Sequence, residues 1–98
     1  MSTDNEKNDL IESLSKLKAE CDQKVVGGDG STFANFSFKL GVFIAKIEGL
    51  DASILSYAVV GDLEYWISAA IKALATSDLS DDTPALNIVI GKLYYQFP

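Results

Sequence analysis

The sequence predicts an all-α fold, a small bundle of four or five helices. Apolar residues recur every three or four positions in several separate segments, which is the spacing of one face of an α-helix. Short groups of glycine, aspartate, serine and threonine separate these segments, and such residues end or cap helices. The chain of 98 residues is long enough for one domain with a single modest core.

The clearest helix is predicted over residues 4–25. Leu10, Leu14, Leu17 and Cys21 follow one another at helical spacing and form one narrow apolar stripe. The glycine-rich run at residues 27–30 then ends the helix. We therefore divide the single domain into an N-terminal amphipathic helix with a hinge, residues 1–30, and a helical bundle core, residues 31–98. The narrow stripe either packs on that core or pairs with the same helix of a second chain.

A second helix is predicted over residues 32–47, where apolar residues keep helical spacing for four turns. Phe36, Phe38 and Leu40 also alternate as they would in a strand, so a strand over residues 33–40 stays open. Gly41 lies in the interior of this segment. Glycine costs up to about 1 kcal/mol there relative to alanine and often permits another helix to cross closely.

The second half of the chain predicts two or three more helices. A short one over residues 52–60, capped by Asp51, precedes a longer one from Asp62 to about residue 76, with Gly61 as the break between them. A single kinked helix is the alternative. Thr83 followed by Pro84 is a helix start signal and predicts a last helix to about residue 95. The β-branched residues 88–90 leave a strand over residues 86–95 open.

The composition lacks most of the side chains that enzymes use for catalysis. The chain has no histidine and no arginine, so it lacks the usual side chain for proton transfer near neutral pH and the usual fork for binding phosphate. Cys21 continues the leucine stripe and is expected to be a buried small hydrophobe, not a nucleophile. The glycine-rich run lacks the lysine of a phosphate-binding loop. We expect no enzyme activity, no cofactor and no metal site.

Charge narrows the possible partners. Fourteen acidic residues against eight lysines give a net charge of −6, which argues against binding to nucleic acid or to an anionic membrane surface. The longest run without a charged residue, 52–61, is about half of what a membrane-spanning helix needs. The polar first residues do not resemble a signal peptide. A cytoplasmic protein is the expectation.

The remaining signal is a surplus of apolar and aromatic residues. A small domain that is 48% apolar cannot bury all of them, and exposed aromatic side chains favour protein interfaces. An apolar aromatic patch and an acidic rim that steers a basic partner are predicted to bind another protein. The predicted partner-binding residues are Tyr65, Tyr94, Tyr95 and Phe97 for the patch and Asp78, Asp81 and Asp82 for the rim.

We therefore expect a non-enzymatic protein-interaction module, such as an immunity protein, an inhibitor or a small chaperone-like adaptor, that also forms a homodimer. Two alternatives stay open. The chain could be a self-assembling structural subunit of a phage or filament. It could also carry a small hydrophobic ligand in an apolar pocket between the second and fourth predicted helices.

Overall fold

Four α-helices make up most of the computed structural model, which describes residues 3–26, 30–76 and 83–98. They are α1 (Thr3–Lys24), α2 (Gly30–Glu48), α3 (Tyr57–Thr76) and α4 (Thr83–Gln96), and a short 3₁₀ helix (Ala52–Ile54) lies between α2 and α3. None of the described residues forms a strand. The all-α prediction is confirmed, and both segments for which a strand stayed open are helical.

The helices pack as a bundle in which consecutive helices run in opposite directions. α1 lies between α2 and α3, and α4 covers the remaining side of α2 and α3. Lys7, near the start of α1, donates from Nζ to the carbonyl oxygen of Glu48 at the end of α2 over 2.9 Å. Lys92, near the end of α4, likewise reaches Asp62 near the start of α3 over 2.9 Å. The starts of α1 and α3 also meet, since Glu6 and Tyr57 line one cavity. Together these contacts give an up-down-up-down arrangement.

The apolar stripe of α1 is part of the common core. Leu10, Leu14, Leu17 and Cys21 are 0% exposed, and they join buried residues of α2, α3 and α4 in one cluster. Each fully buried leucine contributes about 1.5–3 kcal/mol of hydrophobic stabilisation. The alternative in which this stripe pairs with a second chain is therefore wrong, because the wide apolar faces of α2 and α3 already cover it.

Gly41 lies on the face of α2 that meets α1. A Cβ atom at Gly41 would lie 3.3 Å from Cε of Lys18 on α1, so the lysine side chain of α1 occupies the space that a larger residue would need. One turn away on α2, the hydroxyl of Ser37 donates to the carboxylate of Asp22 on α1. α1 and α2 are thus in contact at Gly41 and are joined by the charge-assisted hydrogen bond between Ser37 and Asp22.

The chain between α2 and α3 differs from its prediction. Residues 52–60 do not form a separate helix, and Gly61 does not interrupt α3. Asp51 is indeed a cap, since its carboxylate accepts the Ser53 N–H over 3.0 Å, but the helix it begins is one 3₁₀ turn. α3 begins at Tyr57, where the hydroxyl of Ser56 accepts the Val59 N–H over 3.1 Å and acts as the cap.

Candidate partner-binding surfaces

The predicted aromatic residues are found on different helices. Tyr65, on α3, is 67% exposed, and Tyr94 and Tyr95, on α4, are also exposed. Phe97 is only 9% exposed and belongs to the core cluster, because the chain continues the turn of α4 and the Phe97 N–H donates to the Leu93 carbonyl over 2.8 Å. The rim predicted at Asp78, Asp81 and Asp82 lies outside the described residues. The tyrosines therefore belong to two separate surfaces.

The first surface is a groove between α1 and α3. A cavity of about 160 Å³ is lined by Glu6, Asp9, Tyr57, Val60, Gly61 and Glu64. A larger, open depression of about 420 Å³ continues along α3 and is lined by Gly61, Glu64, Tyr65, Ser68, Ala69 and Lys72. Gly61 and Glu64 line both. We call these residues together the α1–α3 groove.

The α1–α3 groove combines two exposed tyrosines with three carboxylates. Tyr57 is 81% exposed at one end. Further along α3, the ring of Tyr65 meets the ring of the half-buried Trp66 edge-on, with 5.2 Å between centroids. A Cβ atom at Gly61, between the tyrosines, would meet nothing within 4 Å. The floor of the groove is therefore open to a partner side chain.

Electrostatics in this groove work against the ionised form of Glu64. Partial burial raises the pKa of Glu64, and the nearby negative charge of Asp9 raises it further, while a hydrogen bond from the Ser13 hydroxyl lowers it. Glu6 adds a third carboxylate to the lining. Among the described residues no group of three or more acidic or sulfur ligands is placed to hold a metal ion. The groove is therefore acidic, but its described carboxylates are not arranged as the ligands of a metal ion.

The second surface is formed by α2 and α4. Its exposed apolar side chains are Phe38 and Val42 on α2 and Ile88, Tyr94 and Tyr95 on α4, and we call this set the α2–α4 surface. The ring of Tyr94 packs edge-on against the buried ring of Phe43, with 4.9 Å between centroids and 87° between planes. This contact joins α4 to the buried side of α2.

Charged groups are few on the α2–α4 surface, and most are engaged within the chain. Residues 30–47 and 83–98 contain no aspartate or glutamate. Lys46 donates from Nζ to the Phe97 carbonyl over 3.2 Å and lies 5.3 Å from the centroid of the Phe43 ring. Lys92 is paired with Asp62. These segments therefore carry a small positive charge in a strongly acidic chain, since of their lysines Lys92 is paired with a carboxylate.

A third depression, of about 410 Å³, lies where α2 and α4 end. Its lining is mainly apolar and consists of Lys46, Leu50, Ile54, Gln96, Phe97 and Pro98. The ligand-carrier alternative predicted a pocket between residues 32–47 and 62–76, which belong to α2 and α3, so this depression is not the pocket that it predicted. Ile54 is 59% exposed, so the depression is a surface feature and offers a ligand little enclosure.

Sequence reasoning missed several residues of these surfaces. Phe38 and Val42 are four residues apart and lie opposite the core stripe of α2, so subtracting that stripe from the apolar residues would have revealed them. Instead, Phe38 was part of the pattern that left a strand open. Tyr57, Gly61 and Glu64 share one face of α3, but that face exists only when α3 is a single helix, which was not the leading prediction.

Cys21 is not a reactive group. Burial is the main cause that raises the pKa of its thiol to about 12, and the charges of Asp22 and Glu20 add to the effect. The thiolate, which is the nucleophilic form, is therefore strongly disfavoured at neutral pH. No α-helix among the described residues is long and apolar enough to cross a membrane.

Comparison of the chain with protein-family models, with curated proteins and with solved structures finds no match. Its function is therefore inferred from the chemistry of these two surfaces.

Proposed function

We propose that the chain is a non-enzymatic protein-interaction module that binds a basic segment of a partner protein in the α1–α3 groove. The observation that supports this most is the placement of two exposed tyrosines beside three carboxylates along one concave surface. Exposed tyrosines are favoured at protein interfaces. The acidic groups around them select a cationic partner.

The raised pKa of Glu64 supports a cationic partner in particular. Its ionised carboxylate is partly buried and faces the negative charge of Asp9, so the free groove holds unfavourable charge. A lysine or arginine side chain of a partner placed between them would offset both effects. The faces of Tyr57 and Tyr65 can add cation–π contacts, each worth about 0.5–1 kcal/mol at an exposed site.

The charge of the whole chain supports the same proposal. A net charge of −6 attracts basic surfaces over a distance of about 10 Å at moderate ionic strength and raises the rate of association. The aspartates predicted at the rim, Asp78, Asp81 and Asp82, would add to this attraction. We propose that the chain acts in the cytoplasm as an immunity protein, an inhibitor or a chaperone-like adaptor.

Calorimetry with a defined probe tests the proposal. The probe is a synthetic amphipathic helix built of lysine and leucine, and its counterpart has glutamate at every lysine position. We expect the lysine peptide to bind and the glutamate peptide not to bind. Replacing Asp9→Asn and Glu64→Gln together should weaken binding of the lysine peptide by about tenfold, which corresponds to about 1.4 kcal/mol.

A matched variant controls for overall charge. Glu12→Gln and Glu48→Gln together remove the same two charges from exposed positions on α1 and α2, outside the groove lining. This control should weaken binding only slightly and only at low salt. Equal weakening by both pairs would show that net charge, and not the groove, attracts the peptide, and the proposal would be wrong.

A further inference from the structure

We infer that the small cavity of the α1–α3 groove takes one lysine side chain of the partner in preference to an arginine, and that Gly61 keeps the cavity open for it. The inference rests on the proposed function and deepens it, because it names the group that the groove selects and a residue that determines the selection. It depends on the size of the cavity, on its carboxylates and on the conformational cost of a glycine within α3.

The size of the cavity suits one long side chain. Its volume is about 160 Å³, whereas a pocket for a small-molecule ligand holds roughly 300–1,000 Å³. One water molecule accounts for about 30 Å³ of the liquid, so the cavity corresponds to about five such volumes. A lysine side chain, with its four-carbon stem and one ammonium group, is of about this size. The branched guanidinium group makes arginine larger.

The carboxylates around the cavity match an ammonium group. Glu6 and Asp9 line the cavity from α1, and Glu64 lines it from α3, so acceptors are supplied by two helices. A lysine ammonium has three N–H donors that point in different directions, and each can be directed to a separate carboxylate. The donors of arginine lie in one plane and fit the two oxygens of a single carboxylate best. Three separate acceptors around one small space therefore favour lysine.

The walls of the cavity suit both parts of a lysine side chain. Partial burial and the charge of Asp9 raise the pKa of Glu64, and a hydrogen bond from the Ser13 hydroxyl lowers it, so both residues of α1 lie close to this carboxylate. Val60 also lines the cavity and is buried, and it offers an apolar wall to the methylene stem. Tyr57 is 81% exposed, and its ring can contact the cation.

Gly61 is the residue that keeps this space open. It lines both the cavity and the neighbouring larger depression, and a Cβ atom there would meet nothing within 4 Å. Glycine destabilises the interior of a helix relative to alanine. The backbone is helical at this position, so neither backbone conformation nor packing within the chain requires glycine. A side chain at position 61 would instead occupy the space that the lysine of the partner fills.

Calorimetry with two peptides of equal charge tests the inference. One is the lysine–leucine peptide, and the other has arginine at every lysine position. The net charge of the chain attracts both equally. Arginine is otherwise the favoured residue at interfaces and stacks on aromatic rings, so a preference for lysine reports the cavity itself. We expect the lysine peptide to bind about fivefold more tightly, which is the effect of about one hydrogen bond.

Two glycine variants test the part played by Gly61. Gly61→Leu should weaken binding of the lysine peptide by about fivefold and remove its advantage over the arginine peptide. Leucine is a good helix former and the position is exposed, so the variant should fold, and circular dichroism verifies this. Gly91→Leu is the matched control, because Gly91 is equally open but lies on α4. It should leave the affinities for both peptides unchanged.

The possible failures are distinguishable. Equal binding of the two peptides, or tighter binding of the arginine peptide, would overturn the inference and leave the groove proposal intact. A preference for lysine that survives in Gly61→Leu, or that Gly91→Leu removes as well, would overturn the assignment of Gly61. If the lysine peptide does not bind at all, the groove proposal itself is wrong, and the inference fails with it.

Discussion

Replacing Gly61 by alanine is expected to stabilise the fold by about 1 kcal/mol. Gly61 lies within α3 and keeps helical backbone there, and alanine is favoured over glycine in a helix interior by about 0.8–1.0 kcal/mol. The added methyl group would meet nothing within 4 Å, so neither a clash nor new burial changes this value. The expected gain is therefore the propensity difference alone.

Two other glycines calibrate this magnitude. Gly91 is equally open within α4, so Gly91→Ala should give a similar gain of about 1 kcal/mol. At Gly41 the new Cβ would lie 3.3 Å from Cε of Lys18. Lys18 must then shift and weaken its exposed ion pair with Asp22, which is worth a few tenths of a kcal/mol at most. Gly41→Ala should therefore gain less than the other two.

Thermal unfolding followed by circular dichroism measures these differences. For a domain of this size, 1 kcal/mol corresponds to a shift of the unfolding midpoint by about 4–8 °C. The wild type and the three single variants are compared under one set of conditions. A neutral or negative effect of Gly61→Ala would refute the reasoning, since it would mean that α3 breaks at Gly61 as the sequence pattern indicated.

Two further predictions concern ionisable groups. Glu64→Gln should raise the unfolding midpoint at neutral pH, because a carboxyl whose pKa is raised in the folded state makes folding less favourable once it ionises. Thermal melts at several pH values should show the gain disappearing below the ordinary glutamate pKa, and a gain that persists in acid would contradict this origin. Ser37→Ala should cost about 1 kcal/mol at neutral pH, because the Ser37 hydroxyl bonds Asp22 and is the main cause of the lowered pKa of Asp22. A group with a lowered pKa stabilises the fold only while it is ionised. Urea unfolding at several pH values should therefore show the cost of Ser37→Ala shrinking as acid protonates Asp22. A cost that stays constant with pH would mean that only packing is lost.

Local periodicity was enough to predict most of the fold. The helices predicted over residues 4–25, 32–47 and 84–95 correspond to Thr3–Lys24, Gly30–Glu48 and Thr83–Gln96. Each has an apolar stripe at helical spacing and a residue that starts or ends it, and both signals act within a few residues. The alternation around Phe38 was misleading for a simple reason. Phe38 points to solvent from a helix whose core stripe is complete without it.

The middle of the chain could not be predicted in the same way. Gly61 followed by Asp62 has the local signal of a helix end and a new start, yet α3 passes through both. Val60 and Leu63 on either side are buried in the core, and their packing outweighs the preference of one glycine. That contribution comes from residues distant in sequence, so no local pattern contains it.

The α1–α3 groove could not be predicted from the sequence for the same reason. Asp9 and Glu64 line one cavity although they are far apart in the chain, and only the packing of α1 beside α3 brings them together. The residue types were nevertheless informative. Of the four residues predicted for the aromatic patch, Tyr65 lines the groove, whereas Tyr94 and Tyr95 lie on α4 and Phe97 is buried. The carboxylates of the groove are not the aspartates that were predicted for the rim.

Amide chemical-shift mapping with the lysine–leucine peptide tests most directly whether the α1–α3 groove is the working surface. The isotope-labelled chain is titrated with the peptide at a fixed salt concentration, and shifts are followed residue by residue. The account predicts that shifts concentrate at Asp9, Gly61 and Glu64, while the amides of Phe38 and Tyr95 stay unchanged. Shifts centred on α2 and α4, or no saturable shift at all, would contradict it.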